Sequence, residues 1–130
     1  MRMRRAVIDA MIAHARAEAP VECCGLLIGR EDLVEESRPA RNLRNSPVAY
    51  LVDPQEHFEA IRSARLAGRV VVGAYHSHPR SPAVPSATDV AEAYDPGLLY
   101  VIVSLQPGSP DVRAYRIETG TFREVSLVPE

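Results

Sequence analysis

Val70-Val71-Val72-Gly73-Ala74-Tyr75 runs directly into His76-Ser77-His78-Pro79. An unbroken β-branched, apolar run predicts a buried strand, and Pro79 stops it. Side chains alternate along a strand, so His76 and His78 point to one side and Ser77 to the other. Downstream, Arg80-Ser81-Pro82-Ala83-Val84-Pro85 carries two prolines, each with a fixed φ, and predicts a stiff loop. Ser86-Ala87-Thr88-Asp89 then opens a helix that Pro96-Gly97 closes. Such a loop can bring Asp89 back to the two histidines. Two imidazoles and one carboxylate are three protein ligands, the number a catalytic zinc takes when one tetrahedral position is left for water. The plainer alternative is that Ser86 and Asp89 form a helix capping pair and that the histidines are polar residues at a strand end.

Hydrolysis at such a metal needs a proton carrier. Pro20-Val21-Glu22-Cys23-Cys24-Gly25-Leu26-Leu27-Ile28-Gly29 offers one carboxylate, Glu22, beside an apolar strand. Taken alone, Glu22 reads as a solvated charge at an element end.

Glu22 followed by His76-x-His78-x7-Ser86-x2-Asp89 resembles the JAMM (MPN+) metallopeptidases, and the flanking residues resemble their compact prokaryotic members. The resemblance spans nearly the whole chain. It implies an α/β (α+β) fold: one MPN/JAMM domain over residues 1–130, with a curved mixed β-sheet, flanking helices and a cytidine-deaminase-like architecture. It implies one Zn2+ per chain, held by His76, His78 and Asp89. Glu22 is then the general base that later protonates the leaving amine, and Ser86 the donor to the oxyanion. The implied substrate is a small ubiquitin-like or sulfur-carrier protein, cleaved after its C-terminal Gly-Gly with release of an amino acid such as cysteine. A homodimer is compatible with this reading. Two other readings stand beside it: a non-catalytic MPN scaffold, and a zinc amidase acting on another peptide. Zinc deaminases use H-x-E with P-C-x-x-C, which this chain lacks.

A length of 130 residues fits one core. A net charge of −2 argues against a general nucleic-acid grip. No apolar run is long enough to span a bilayer, and residues 6–19 read as an amphipathic helix rather than a signal peptide. A cytoplasmic location is therefore expected. All 15 basic residues are arginine, so the N-terminus is the only amine through which the chain can itself be conjugated. Vicinal Cys23 and Cys24 suit a reducing compartment. They read as small buried hydrophobes, or else as thiols able to bind metal or be oxidised.

The remaining elements follow from periodicity and punctuation. The first helix carries Ile8, Met11, Ile12, Ala15 and Ala19 on one stripe. Glu31-Asp32 turns a hairpin after the strand of residues 23–29; the acidic residues there and Arg38, Arg41 and Arg44 read as solvated. Val48-Ala49-Tyr50-Leu51-Val52 reads as a short strand. Asp53 caps the next helix, with Pro54 at its first position and Glu56 reaching back. Phe58, Ile61 and Ala64 are expected in the core, and Gly68 at the helix end. His14 and His57 read as helix-surface residues. Residues 98–105 are apolar throughout and predict a central strand covered on both faces, followed by two more strands.

Overall fold

The protein is described by a computed structural model covering residues 1–93 and 95–130. In chain order the elements are β1 (Arg2–Met3), α1 (Arg5–Glu18), β2 (Cys24–Arg30), β3 (Leu33–Ala40), α2 (Pro54–Leu66), β4 (Val70–His78), α3 (Ala87–Glu92), β5 (Leu99–Ser104), β6 (Asp111–Glu118), β7 (Thr121–Val125) and β8 (Val128–Pro129). The strands form one curled mixed sheet in the order β7-β6-β5-β4-β2-β3-β1-β8. β4 and β5 run parallel, joined through α3, and β1 pairs parallel with both β3 and β8. The other pairs are antiparallel.

The sheet buries both faces. On one, Val7, Met11 and Ala15 of α1 pack on Leu27, Tyr75, Leu99, Val101 and Val103. On the other, Ala60 and Ala64 of α2 meet Leu26, Ile28 and Ala74. Tyr100 and Ile102 pack there with Tyr115, Ile117 and Ala83, under Val90 of α3. β5 is therefore buried at every position, as its continuous apolar run predicts.

One irregularity decides which face the metal strand offers. Leu27 pairs with Gly73 and Ile28 with Val71, so Val72 is an extra residue on β4. Beyond it the alternation is regular. Tyr75 and Ser77 face α1, while Ala74, His76 and His78 face α2 and α3. Gly73 sits at this crossing, because a Cβ there would lie 2.2 Å from the Leu99 carbonyl oxygen. Gly73→Ala must push β4 off β5 just before the histidines. We expect a loss of about 1–3 kcal/mol, seen as a fall in Tm of roughly 5–10 °C in a thermal melt. An unchanged Tm would mean that the two strands separate at no cost.

Several expectations are corrected. Residues 48–52 form no strand; an isolated bridge joins Asn42 to Val52 instead. The stripe of α1 is centred on Val7, Met11 and Ala15, with Ile8 and Ile12 at its margin and Ala19 exposed. Asp53 does cap α2 by accepting from the Gln55 N–H, but Glu56 accepts from the Arg41 N–H rather than closing the box. Phe58 and Ile61 remain 64% and 40% exposed, because α2 lies on the sheet through its alanines. Helix α2 does end before Gly68, whose φ of 71° only glycine adopts freely. The N-terminal residues before α1 form a strand, β1, held between β3 and β8. The acidic turn and its arginines are ion-paired: Asp32 with Arg2, Glu35 with Arg4, and Glu36 with Arg38 and Arg69. Among the described residues, no helix is long and apolar enough to cross a membrane.

Candidate metal centre and active site

The C-terminal end of β4 carries the site, beside the crossover to the parallel strand β5. His76 Nε2 and His78 Nε2 lie 3.1 Å apart, and Asp89 Oδ2 lies 3.1 Å and 3.0 Å from them. All three side chains are buried. Zinc bonds to nitrogen and oxygen of roughly 2.0–2.1 Å require tetrahedral ligand atoms roughly 3.3 Å apart. The triangle matches that spacing, and neutral imidazole nitrogen with carboxylate oxygen is a donor set zinc takes. Among the described residues no other group of three such side chains converges in this way.

The loop over residues 79–86 is pinned at three successive carbonyls. Ser104 Oγ donates to Ser81 O at 2.6 Å. His78 Nδ1–H donates to Pro82 O at 2.7 Å, and the Tyr115 hydroxyl donates to Ala83 O. The bond to Pro82 fixes the tautomer of His78, leaving Nε2 as a lone-pair donor. The loop delivers Asp89 in the first turn of α3. Ser86 N–H donates to Asp89 Oδ2 at 2.9 Å, and Asp89 N–H donates to Ser86 Oγ at 3.0 Å. The capping pair and the ligand group are thus one arrangement, since Asp89 Oδ2 takes part in both. Ser86 Oγ accepts in the cap and keeps its own proton to donate elsewhere.

The electrostatics are those of an anion among imidazoles. Burial opposes ionisation of Asp89, but His76, His78 and the Ser86 N–H outweigh it and hold the carboxyl well below the usual range. Burial keeps His76 below its ordinary value, which favours the neutral ring a metal requires. His78 is also opposed by burial, but Asp89 and the Pro82 carbonyl raise it.

Glu22 is 4% exposed, so the reading of it as a solvated charge is corrected. Its Oε1 is buried without a hydrogen-bond partner. Burial pushes its carboxyl up to about 8, and it couples electrostatically to His78 and Asp89. Its neighbours hold it in place. Cys23 N–H donates to Ser77 Oγ at 2.8 Å and Ser77 N–H donates to Cys23 O at 3.1 Å. Ser77, the residue between the two histidines, thereby ties the Glu22 segment to the metal strand.

The loop 41–53 encloses the site from the other direction. Asn42 uses its whole side chain there: Nδ2 donates to Glu22 O and Ala49 O, and Oδ1 accepts from Arg44 N–H and Leu51 N–H. Tyr50 stacks on His76, with ring centroids 4.3 Å apart. Arg44 pairs with Glu92 of α3 at 2.8 Å, so its reading as solvated is corrected. Sequence reasoning missed Asn42, Tyr50 and Ser77. The one available signal was the capacity of an asparagine to organise backbone that forms no ladder.

Cys23 and Cys24 are free and buried. Burial pushes their thiols up to about 11 and about 12, and neither joins the metal group. They are packing residues, not thiolates. His14 is not the surface residue it reads as, because its Nδ1 lies 2.7 Å from the hydroxyl of buried Tyr75.

The prokaryotic homologs of the JAB domain form a family whose model matches residues 4–118. The CysO-cysteine peptidase of Mycobacterium tuberculosis H37Rv is 40% identical over 125 residues, covering 94% of this chain and 86% of that protein. A desampylase of Haloferax volcanii is 40% identical over 131 residues, covering 94% and 91%. A solution structure from Desulfitobacterium hafniense superposes with a TM-score of 0.91 at 38% identity, covering 99% and 92%. A JAB1/MPN domain protein of Archaeoglobus fulgidus, at 21% identity and covering 99% and 98%, shares the fold with a TM-score of 0.67. The chain belongs to the prokaryotic JAB family and is a hydrolase of the JAMM type.

Proposed function

We propose that the chain is a zinc peptidase that cuts the amide bond after the C-terminal Gly-Gly of a small ubiquitin-like or sulfur-carrier protein, releasing an amino acid such as cysteine. The observation that carries this reading is the convergence of three ligand atoms beside a buried carboxylate with an unpartnered oxygen. The names of the mycobacterial and haloarchaeal relatives, a CysO-cysteine peptidase and a desampylase, support the substrate class.

His76, His78 and Asp89 hold the metal in this reading. Bound there, zinc would lower the pKa of a ligated water to about 7 and polarise a carbonyl. Glu22 accepts the proton of the attacking water and hands it to the leaving amine as the C–N bond breaks. Its unpartnered Oε1 is the atom with capacity for that proton. Ser86 donates its hydroxyl proton toward the carbonyl oxygen as that oxygen gains charge. Tyr50 shields one face of His76, which keeps water from the ligand.

A groove of about 450 Å³ runs from Asp89 between the 41–53 loop and α3, with Leu26, Tyr50, Leu51, Leu98 and Tyr100 among its lining. It suits an extended tail, and glycines at the tail's end let the backbone pass close to the metal. The open sheet edges are β7 and β8, while β4 is interior and offers the tail no free edge to pair with.

The test is mass spectrometry of a carrier–cysteine adduct incubated with zinc-loaded protein. Release of cysteine, with little cutting of lysine-linked ubiquitin chains, is the expected result. No release of cysteine, together with efficient cutting of an unrelated peptide, would assign the site to another metallopeptidase role.

A further inference from the structure

An extended tail in the groove that reaches Asp89 brings a main-chain carbonyl and N–H into it at nearly every residue. Such groups are costly to bury unpaired, and much of the groove is apolar. Six polar side chains line it among the described residues, and four of them are committed. Arg44 and Glu92 pair with each other. Asp89 is held by the histidines and the Ser86 N–H, and the Tyr100 hydroxyl donates to Asp95 O. The other two are His57 and Tyr50. His57 also lines the next cavity along, with Val70 at the start of β4, and no metal ligand lines that cavity. His57 therefore serves the far end of the groove.

Tyr50 stands at the metal end. Its ring stacks on His76 with an interplanar angle of 19°, and the residue is half-buried. Its hydroxyl makes no hydrogen bond among the described residues, although a tyrosine hydroxyl brought out of water usually finds a partner. Burial raises the phenol and Asp89 adds to the effect, so the group keeps its proton and can donate it. The direction of the tail follows from its own geometry. Successive carbonyls of an extended chain point to opposite sides. Ser86 opens α3, so a scissile carbonyl that accepts from Ser86 faces the α3 wall. The carbonyl one residue earlier then faces the opposite wall, the 41–53 loop, which carries Tyr50.

We infer that the Tyr50 hydroxyl donates a hydrogen bond to the carbonyl of the first glycine of the Gly-Gly tail, one residue before the scissile bond. This rests on the proposed function above, in which the groove seats the tail, and it adds a substrate-binding residue to that site. The bond fixes the register of the tail, because only one carbonyl can meet Tyr50 while the next meets Ser86. Tyr50 touches no reacting atom.

The experiment compares two adducts of one small carrier protein, both ending Gly-Gly-Cys. In one the first glycine keeps its C=O; in the other that group is C=S, and sulfur is a weak acceptor. Zinc-loaded parent is expected to favour the oxygen adduct by about fivefold in kcat/KM, through KM, the scale of one neutral hydrogen bond. Tyr50→Phe keeps the ring on His76 and removes only the hydroxyl. It should retain zinc, raise KM for the oxygen adduct by about fivefold with kcat held, and cut the two adducts equally. A residue that only shields the metal would lower zinc content or kcat instead. Glu22→Gln protein reads binding without turnover. It should bind the oxygen adduct about fivefold tighter than the sulfur one, and adding Tyr50→Phe should level the two. Equal cutting and equal binding of both adducts by protein with Tyr50 overturns the assignment. So does a preference that survives Tyr50→Phe. Tyr50-dependent binding without any cutting would keep the assignment and remove the peptidase reading. If neither adduct is bound or cut, the proposed function falls and takes this assignment with it.

Discussion

Glu22→Gln is expected to keep its metal and lose hydrolysis by ~10² or more, the usual scale for a general base. The variant isolates basicity because the local structure does not depend on the charge. Glu22 Oε1 accepts no hydrogen bond, so an amide of the same shape breaks none. What fixes the residue is backbone: Glu22 N–H to Ser46 O, Asn42 to Glu22 O, and the reciprocal bonds of Cys23 with Ser77. A buried carboxyl without a partner is also costly to ionise. The neutral glutamine should therefore leave Tm unchanged or raise it. Turnover of a carrier adduct, zinc by elemental analysis and a thermal melt together give the answer. Parent-like turnover in Glu22→Gln would remove Glu22 from the chemistry. A fall in both Tm and zinc would make it a structural residue.

The parts of this site that were legible in sequence are those fixed by short-range geometry. Strand alternation alone puts His76 and His78 on one side. Two prolines and a capping pair alone suggest how Asp89 returns, and the observed Ser86–Asp89 bonds satisfy both the cap and the ligand readings. The parts that were not legible depend on distant pairing. Val72 is an extra residue only because of how β4 meets Leu27 and Ile28. The apolar run at 48–52 has strand composition, yet Asn42 captures Ala49 O and Leu51 N–H before a ladder can. The burial of Glu22 comes from that same loop folding over it, which no local pattern records. His14 reads as a surface histidine because Tyr75, its partner, is 61 residues away. Phe58 and Ile61 are apolar at helical spacing, but α2 approaches the sheet closely only through Ala60 and Ala64.

Loss of a ligand is expected to abolish metal binding. About one zinc per chain is expected in protein purified without chelator, and His78→Ala should lose it. Asp89→Asn is the more discriminating change. The amide keeps the size of the side chain and an oxygen that can accept from Ser86 N–H, so the first turn of α3 should persist. It loses the negative charge that three protein ligands supply between them, so the affinity for a divalent cation should fall steeply. A metal that binds only the folded state adds about 4 kcal/mol when present at a thousand times its Kd. Chelation should therefore lower the Tm of the parent by several degrees and leave the Tm of Asp89→Asn unmoved. Elemental analysis and melts with and without chelator read both effects. Full zinc occupancy in His78→Ala would sink the ligand assignment, because a site with two remaining ligands cannot hold the ion as three do. A collapse of Asp89→Asn to an unfolded chain would mean that the carboxylate serves the helix cap before it serves the metal.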